Sequence, residues 1–285
     1  MLFKSRNLKL IDIIFLIITF FLFLCIAILL RKTLSFNELL FLNFCFIFII
    51  FFILQIYRRV LKYIDNLLTF KNKEMIDKFN LELNKLSGEI FTYSLNLNIP
   101  PIFSQWSIDG DLLKIIIDEI YSKNSNNITI LELGSGLSTI IISYILKKIN
   151  KGKLYSIEHD KFFYEKTKRL LDINNLNDIC DLIYSPLEET EINGNKWLWY
   201  NIDFINKIDK IDILLIDGPP AHIQEMSRFP ALPILINKLN DNCVIFLDDA
   251  NRDEETNIIR TWRNLYPNFH FQIIGTSKGA LKIVI

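Results

Sequence analysis

The chain lacks several features that would mark common protein classes. Its four cysteines, Cys25, Cys45, Cys180 and Cys243, form no C-x-x-C pair, and none stands near a histidine at ligand spacing. A zinc knuckle or a dithiol redox centre is therefore excluded. All four sit in apolar runs, as small buried hydrophobes of a reducing compartment do. Histidine is scarce, with only His159, His222 and His270. Net charge is also lacking: 32 basic residues balance 32 acidic ones, so nothing points to a nucleic-acid partner. No complete G-x-G-x-x-G pattern occurs, and no small-residue cleavage site follows the first apolar run.

What the chain has in excess is apolar residues near its start. Leu10 to Leu30 is interrupted only by Asp12 and Thr19, and Phe36 to Tyr57 only by Asn37, Glu38, Asn43 and Gln55. A run of about twenty residues is long enough to cross a bilayer as a helix. The short turn from Arg31 to Ser35 would make the pair an antiparallel hairpin. Lys4, Arg6 and Lys9 before it, and Arg58, Arg59 and Lys62 after it, outnumber Arg31 and Lys32 in the turn. The positive-inside rule then puts both termini, and all that follows, on the cytoplasmic side of a bacterial inner membrane. The expected organisation is two transmembrane helices within 1–57, a helical linker over 58–105 and one catalytic domain over 106–285. The linker stripe of Leu61, Ile64, Leu68, Met75 and Phe79 suits packing on the next domain, or a short coiled coil that makes a homodimer.

From Ile108 the pattern alternates. Strands are expected at 128–133, 154–157, 179–184, 211–216 and 243–247. Helices are expected at 111–121, 137–149, 161–174, 230–239 and 254–265. A strand pair, 269–274 and 280–285, closes the chain. Such alternation predicts an α/β fold, a Rossmann-like and mostly parallel sheet with an antiparallel C-terminal pair. Ligands of such sheets sit at the carboxyl ends of the strands.

Those ends carry the informative residues. Leu131-Glu132-Leu133-Gly134-Ser135-Gly136-Leu137-Ser138-Thr139 follows the first strand, and its glycines allow close backbone approach at a helix N-terminus. Thr139 stands where a dinucleotide fingerprint has its third glycine. Glu132 beside this turn would repel a pyrophosphate and suit a cationic ligand. Glu158, about twenty residues on, can accept from both hydroxyls of a ribose; its alternative is helix capping, the role expected of Asp160. Asp217-Gly218-Pro219-Pro220 and Asp248-Asp249 end two further strands. Each acid alone has a turn or cap reading. Together they converge on one crevice.

The segments LELGSGLST, YSIEHD, IDILLIDGPP and VIFLDDANR resemble the successive motifs of class I S-adenosylmethionine (SAM) dependent methyltransferases. The likeness runs from about Trp106 to the end. It is nearest to bacterial members with IDGPP, R-x-PALP (from Arg228) and LDDA-x-R-x-x-E (through Arg252 and Glu255), then Trp262. The resemblance implies SAM as cofactor, held by Glu132, Gly134, Ser135, Gly136 and Ser138, with Glu158 on the ribose and His159 on the adenosine side. It implies Asp217 near the transferred methyl. Family members often carry an acid after the third strand; here that stretch is Tyr184-Ser185-Pro186-Leu187, leaving Ser185 or backbone for the adenine.

The reaction implied is methyl transfer to an oxygen or nitrogen of a small-molecule, lipid-linked or glycan acceptor at the envelope. Asp217, Asp248 and Asp249 resemble in position the metal-binding acids of catechol-type O-methyltransferases, which would suit Mg²⁺. The other reading is that Asp217 serves SAM while the Asp pair orients Arg252. His222 is the candidate general base. Trp197, Trp199 and Tyr200 would line the substrate mouth, or pack a helix between strands. Two alternatives stay open: an NAD(P)-dependent oxidoreductase on the same sheet, and a membrane scaffold or sensor that keeps the fold without catalysis.

Overall fold

A computed structural model of the chain describes Ile28, residues 35–101 and residues 108–285. The chain divides into two units, residues 1–74 and 75–285. The expected span at 10–30, apart from Ile28, lies outside the described residues. So do Lys4, Arg6, Lys9, Arg31 and Lys32.

Helix α1 is Phe36–Ser94, 59 residues long. Glu38 opens it by accepting from the backbone N–H and the hydroxyl of Ser35, at 2.8 and 2.7 Å, half of a capping box. The sequence predicts a membrane span ending at Tyr57 and a separate linker helix over 58–86. The structure joins them, because no Gly or Pro interrupts the helix between Phe36 and Arg59 to end its hydrogen bonding. Among the described residues no helix is long and apolar enough to cross a membrane.

The second unit is built on a seven-stranded sheet of order β3-β2-β1-β6-β7-β9-β8. In chain order its elements are α2 (Gly110–Ser122), β1 (Thr129–Leu133), α3 (Leu137–Ile149), β2 (Lys153–Glu158), α4 (Lys161–Ile173) and β3 (Cys180–Tyr184). A hairpin of β4 (Leu187–Ile192) and β5 (Asn195–Tyr200) follows. Then come β6 (Ile211–Ile216), the short α5 (Ala231–Leu235), β7 (Leu239–Asp248), α6 (Asp253–Leu265), β8 (His270–Ile274) and β9 (Ala280–Val284). Strands β3, β2, β1, β6 and β7 run parallel. Strand β9 lies antiparallel between β7 and β8. This is the Rossmann-like α/β sheet with a reversed C-terminal pair that the alternation predicts.

Alternate residues of the central strands enter two cores. Ile130, Ile213, Leu215 and Phe246 face α2 and α3, where Leu112, Ile116, Ile140 and Ile141 are buried. Leu131, Leu133, Leu214, Ile216, Ile245 and Leu247 face the other side with Trp199 and Trp262. A strand covered on both faces has no polar side, which explains its continuous apolar sequence. Cys180 and Cys243 are free and buried in these cores, and desolvation pushes both thiols up. They fill space, as their apolar flanks suggest.

The chain leaves β1 toward β2 on one side and reaches β6 on the other. Strand order therefore reverses at the β1–β6 boundary, which opens a crevice above the carboxyl ends of these strands.

The β4–β5 hairpin stands where one of the two readings of Trp197, Trp199 and Tyr200 puts a helix between strands. Its turn is Asn193-Gly194, both at positive φ (51° and 79°). Asn-Gly is the favoured pair for a two-residue hairpin turn. Trp199 and Tyr200 are buried strand residues, and Trp197 packs on Phe229 with ring centroids 5.0 Å apart.

Candidate functional site

A cavity of about 480 Å³ opens over the carboxyl ends of β1, β2 and β6. Gly134, Ser135, Gly136, Ser138, Glu158, His159, Asp217 and His222 all line it. The apolar wall is Ile99, Pro100, Pro101, Ile108, Phe163 and Leu170.

The glycine turn is shaped by its neighbour on β6. Gly134 has φ +96°, and a Cβ there would come within 3.2 Å of the Asp217 carbonyl group. Gly136 is different. A Cβ on it would meet nothing within 4 Å, so its missing side chain leaves open space beside the cavity.

Glu132 lies below this turn and does not line the cavity. It is fully buried. It accepts from the hydroxyls of Ser138 (2.5 Å), Thr139 (2.5 Å) and Ser156 (2.6 Å). Alternation explains this: Glu132 shares the face of Ile130, so its carboxylate points under α3. The expectation that Glu132 meets a cationic ligand is corrected to a positioning role, in which it anchors the first turn of α3. Desolvation raises its pKa and the three hydroxyls oppose the rise. Thr139, standing where a fingerprint glycine would be, supplies one of those hydroxyls and also accepts from the Gly136 N–H at 2.9 Å.

Glu158 ends β2, 4% exposed. It accepts from the N–H and the hydroxyl of Ser135 (2.9 and 3.0 Å) and from the N–H of Asp160 (2.8 Å). His159 Nδ1 lies 3.1 Å from it. Asp160 caps α4 by accepting from Phe162 and Phe163 N–H, the role its position suggests. Ser185 is placed otherwise than expected. Its hydroxyl donates to the Asn201 carbonyl at 2.9 Å and it does not line the cavity. It ties the end of β3 to the end of the hairpin.

Asp217 follows β6 with a side chain 18% exposed. Burial lifts its carboxyl to about 7; Arg228 pulls it down and Asp249 pushes it up. His222 is exposed at the mouth. Asp248 ends β7 and Asp249 follows it. Neither lines the cavity; both are buried, Asp249 with its carboxylate against the Arg228 guanidinium. Arg228 Nη2 lies 3.2 Å from Asp217 Oδ1 and 3.3 Å from Asp249 Oδ2. Arg252 Nη1 lies 2.9 Å from Asp249 Oδ2, so Asp249 does orient Arg252.

The segment bearing Arg228 is latched in place. Ser227 Oγ donates to the Pro219 carbonyl, and Trp262 Nε1 donates to the Phe229 carbonyl. Gln224 exchanges two bonds with the backbone of Leu198 on β5. The R-x-PALP motif and the distant Trp are thus parts of one scaffold.

Sequence reasoning missed the polar clasp behind the cavity's apolar wall. Asn174 donates to the Ile99 carbonyl and accepts from the Ile99 N–H; Asn98 donates to the Ile173 carbonyl. These bonds fix the Ile99–Pro101 wall, and Pro100-Pro101 signals only a break in sequence. Tyr200 is one of the three aromatics that the sequence reading puts at the substrate mouth or in packing between strands. It lines the cavity, is fully buried, and its hydroxyl has no hydrogen-bond partner among the described residues. A Cβ on Gly218 would collide with that hydroxyl, which explains the glycine.

Residues 131–250 match the family described as Methyltransferase domain. The matched stretch runs from within β1 to just past β7 and holds the glycine turn, Glu158, Asp217, Arg228, Asp248 and Asp249. No curated protein sequence matches the chain. Among solved structures, the O-methyltransferase TomG from Streptomyces achromogenes, crystallised with SAM, is 12% identical. That match covers 72% of this chain and 98% of that one, with a TM-score of 0.48. An O-methyltransferase from Bacillus cereus in complex with SAH is 14% identical over 74% and 97% of the two chains, with a TM-score of 0.49. A methyltransferase from Geobacter sulfurreducens is 16% identical over 70% and 87%, with a TM-score of 0.42.

Proposed function

We propose that the cavity binds S-adenosylmethionine and that the protein transfers its methyl group to an oxygen or nitrogen of an acceptor. The observation that carries this reading is the convergence of Gly134–Gly136, Glu158 and Asp217 on one cavity at the strand-order reversal, inside the stretch that matches a methyltransferase domain. The volume suits a ligand of this size, since small-molecule pockets are typically about 300–1,000 Å³.

The residues fit the group. Glu158 offers carboxylate lone pairs to ribose hydroxyls. Gly136 leaves the space a side chain would fill. Tyr200 holds, at the cavity wall, a hydroxyl without a partner among the described residues. Bound SAM supplies an electrophilic methyl on a sulfonium. The chain's own task is then alignment and proton removal. Asp217, with its carboxyl lifted to about 7, is suited to accept the acceptor's proton near neutrality, and His222 at the mouth is the second candidate.

Calorimetric titration of the full chain with SAM tests the reading. Micromolar binding that Glu158→Ala weakens by about tenfold or more, on the order of 1.4 kcal/mol, supports it. Absence of SAM binding by folded protein refutes it.

A lipid tether is a separate proposal. Its support is the length of the two apolar runs and the balance of basic residues around them, and holding the enzyme at a bilayer would raise its effective concentration for envelope acceptors. Recovery of the full chain in the soluble fraction of a lysate would refute the tether and leave methyl transfer untouched.

A further inference from the structure

Asp217, Asp248 and Asp249 bring carboxylate oxygens within 4.8 Å of one another. That spacing is compatible with a shared divalent cation. The charge and access around it are not. Arg228 is 2% exposed and meets the carboxylates of Asp217 and Asp249 and the main chain of Asp248. Its Nη2 meets the carboxylates of Asp217 and Asp249 and donates to the Asp217 carbonyl at 3.0 Å. Its Nη1 donates to the Asp248 carbonyl at 2.9 Å and lies 3.7 Å from Glu255 Oε1.

We infer that Arg228 is the built-in cation of this acidic cluster, and that the site holds no divalent metal. Three further observations support this. Arg252 supplies a second guanidinium at Asp249, so one of the three carboxylates already has two counter-charges. Mg²⁺ keeps several waters in near-octahedral geometry, yet Asp248, Asp249 and Arg228 are all buried. Of the three acids only Asp217 lines the cavity, whereas a metal acting on substrate needs an open coordination position facing it. Asp248 Oδ1 is buried without a hydrogen-bond partner among the described residues. Removing the guanidinium would leave the Asp217 and Asp249 carboxylates uncompensated, at a spacing compatible with a cation. Arg228 is therefore a positioning residue: it fixes the Asp217 carboxylate from behind while Asp217 faces the cavity.

Manganese titration of the detergent-solubilised full chain, read by the paramagnetic resonance signal of free Mn²⁺, tests this without SAM or acceptor. Its outcome is thus separate from that of methyl transfer. Wild-type protein is expected to leave Mn²⁺ free up to millimolar concentration. Arg228→Met, which removes the charge and keeps the apolar stem, should bind one Mn²⁺ at least about tenfold more tightly, and Arg228→Lys should not. Micromolar binding by wild type, abolished by Asp248→Asn, overturns the inference. So does a folded Arg228→Met that gains no affinity. If Arg228→Met fails to fold by circular dichroism, wild type against Asp248→Asn decides: no binding by either upholds the inference, and binding by wild type alone overturns it.

Discussion

Single side chains in this site separate into those that face the cavity and those that hold the facing ones. Tyr200 belongs to the first kind. A buried hydroxyl without a partner gains one when a polar ligand arrives, so Tyr200→Phe should weaken SAM binding by roughly 3- to 10-fold, on the order of 1 kcal/mol. Stability of the unliganded protein should not fall, because no bond is lost. Calorimetry and urea denaturation of the same pair check both halves. Glu132 belongs to the second kind. Glu132→Ala strands three hydroxyls and empties a buried site, for a loss of roughly 3 kcal/mol or more, seen as a lower urea midpoint.

Asp217 gives a pH dependence with a definite sign. Its carboxyl ionises near 3.8 in an ordinary setting and near 7 in the fold. Between those values the folded protein keeps a proton that the unfolded chain has released. Stability therefore falls as pH rises from about 4 to about 7 and is level above that, with a ceiling of roughly 4 kcal/mol. The side chain is 18% exposed, so the realised drop is smaller. Asp217→Asn carries no such charge and should gain on wild type between pH 5 and pH 8. A gap between the two urea midpoints that does not widen with pH refutes this.

At the scale of elements, the hairpin is the instructive case. Gly194 sits at φ +79° with open space around it, so Gly194→Ala should cost only backbone strain, about 1 kcal/mol. The latch to Gln224 lies at Leu198, at the other end of β5, so SAM affinity should be unchanged. A loss of affinity would show that the turn itself shapes the cavity. The same hairpin marks the limit of what periodicity reveals. Strands β1, β6 and the second half of β7 are legible because burial on both faces makes them largely apolar runs. The hairpin's pattern, with Glu188, Glu189 and Glu191 among scattered aromatics, carries no such run. Its clear signal was the Asn-Gly turn. The site shows the same division. Strand-end acids can be read from position, and Glu158 and Asp217 do line the cavity. Whether a carboxylate faces ligand or core depends on the parity of its strand position and on what packs above it. Those facts put Glu132 under α3 and Asp248 behind Arg228. The aromatic and apolar wall comes from residues far apart in sequence, and no local pattern links them.

For the whole molecule, the division of the chain bears on how catalysis and location are separated. Every residue lining the cavity belongs to 75–285. Both apolar runs belong to the first unit, while α1 continues beyond it to Ser94. Binding chemistry and any lipid contact are thus carried by different stretches of chain. Deletion of residues 1–74 should leave SAM affinity within about twofold of the full chain, a difference under roughly 0.5 kcal/mol. If the proposed tether is right, the same deletion moves the protein from the membrane pellet to the supernatant on fractionation. A truncated, folded protein that loses SAM affinity would mean that the first unit shapes the cavity. A truncated protein that still pellets with membranes would move the lipid contact to the exposed apolar residues Ile76, Ile90 and Tyr93 in the remainder of α1. Affinity and fractionation vary independently, so the one truncated protein, measured both ways, separates where the chemistry is built from what holds it in place.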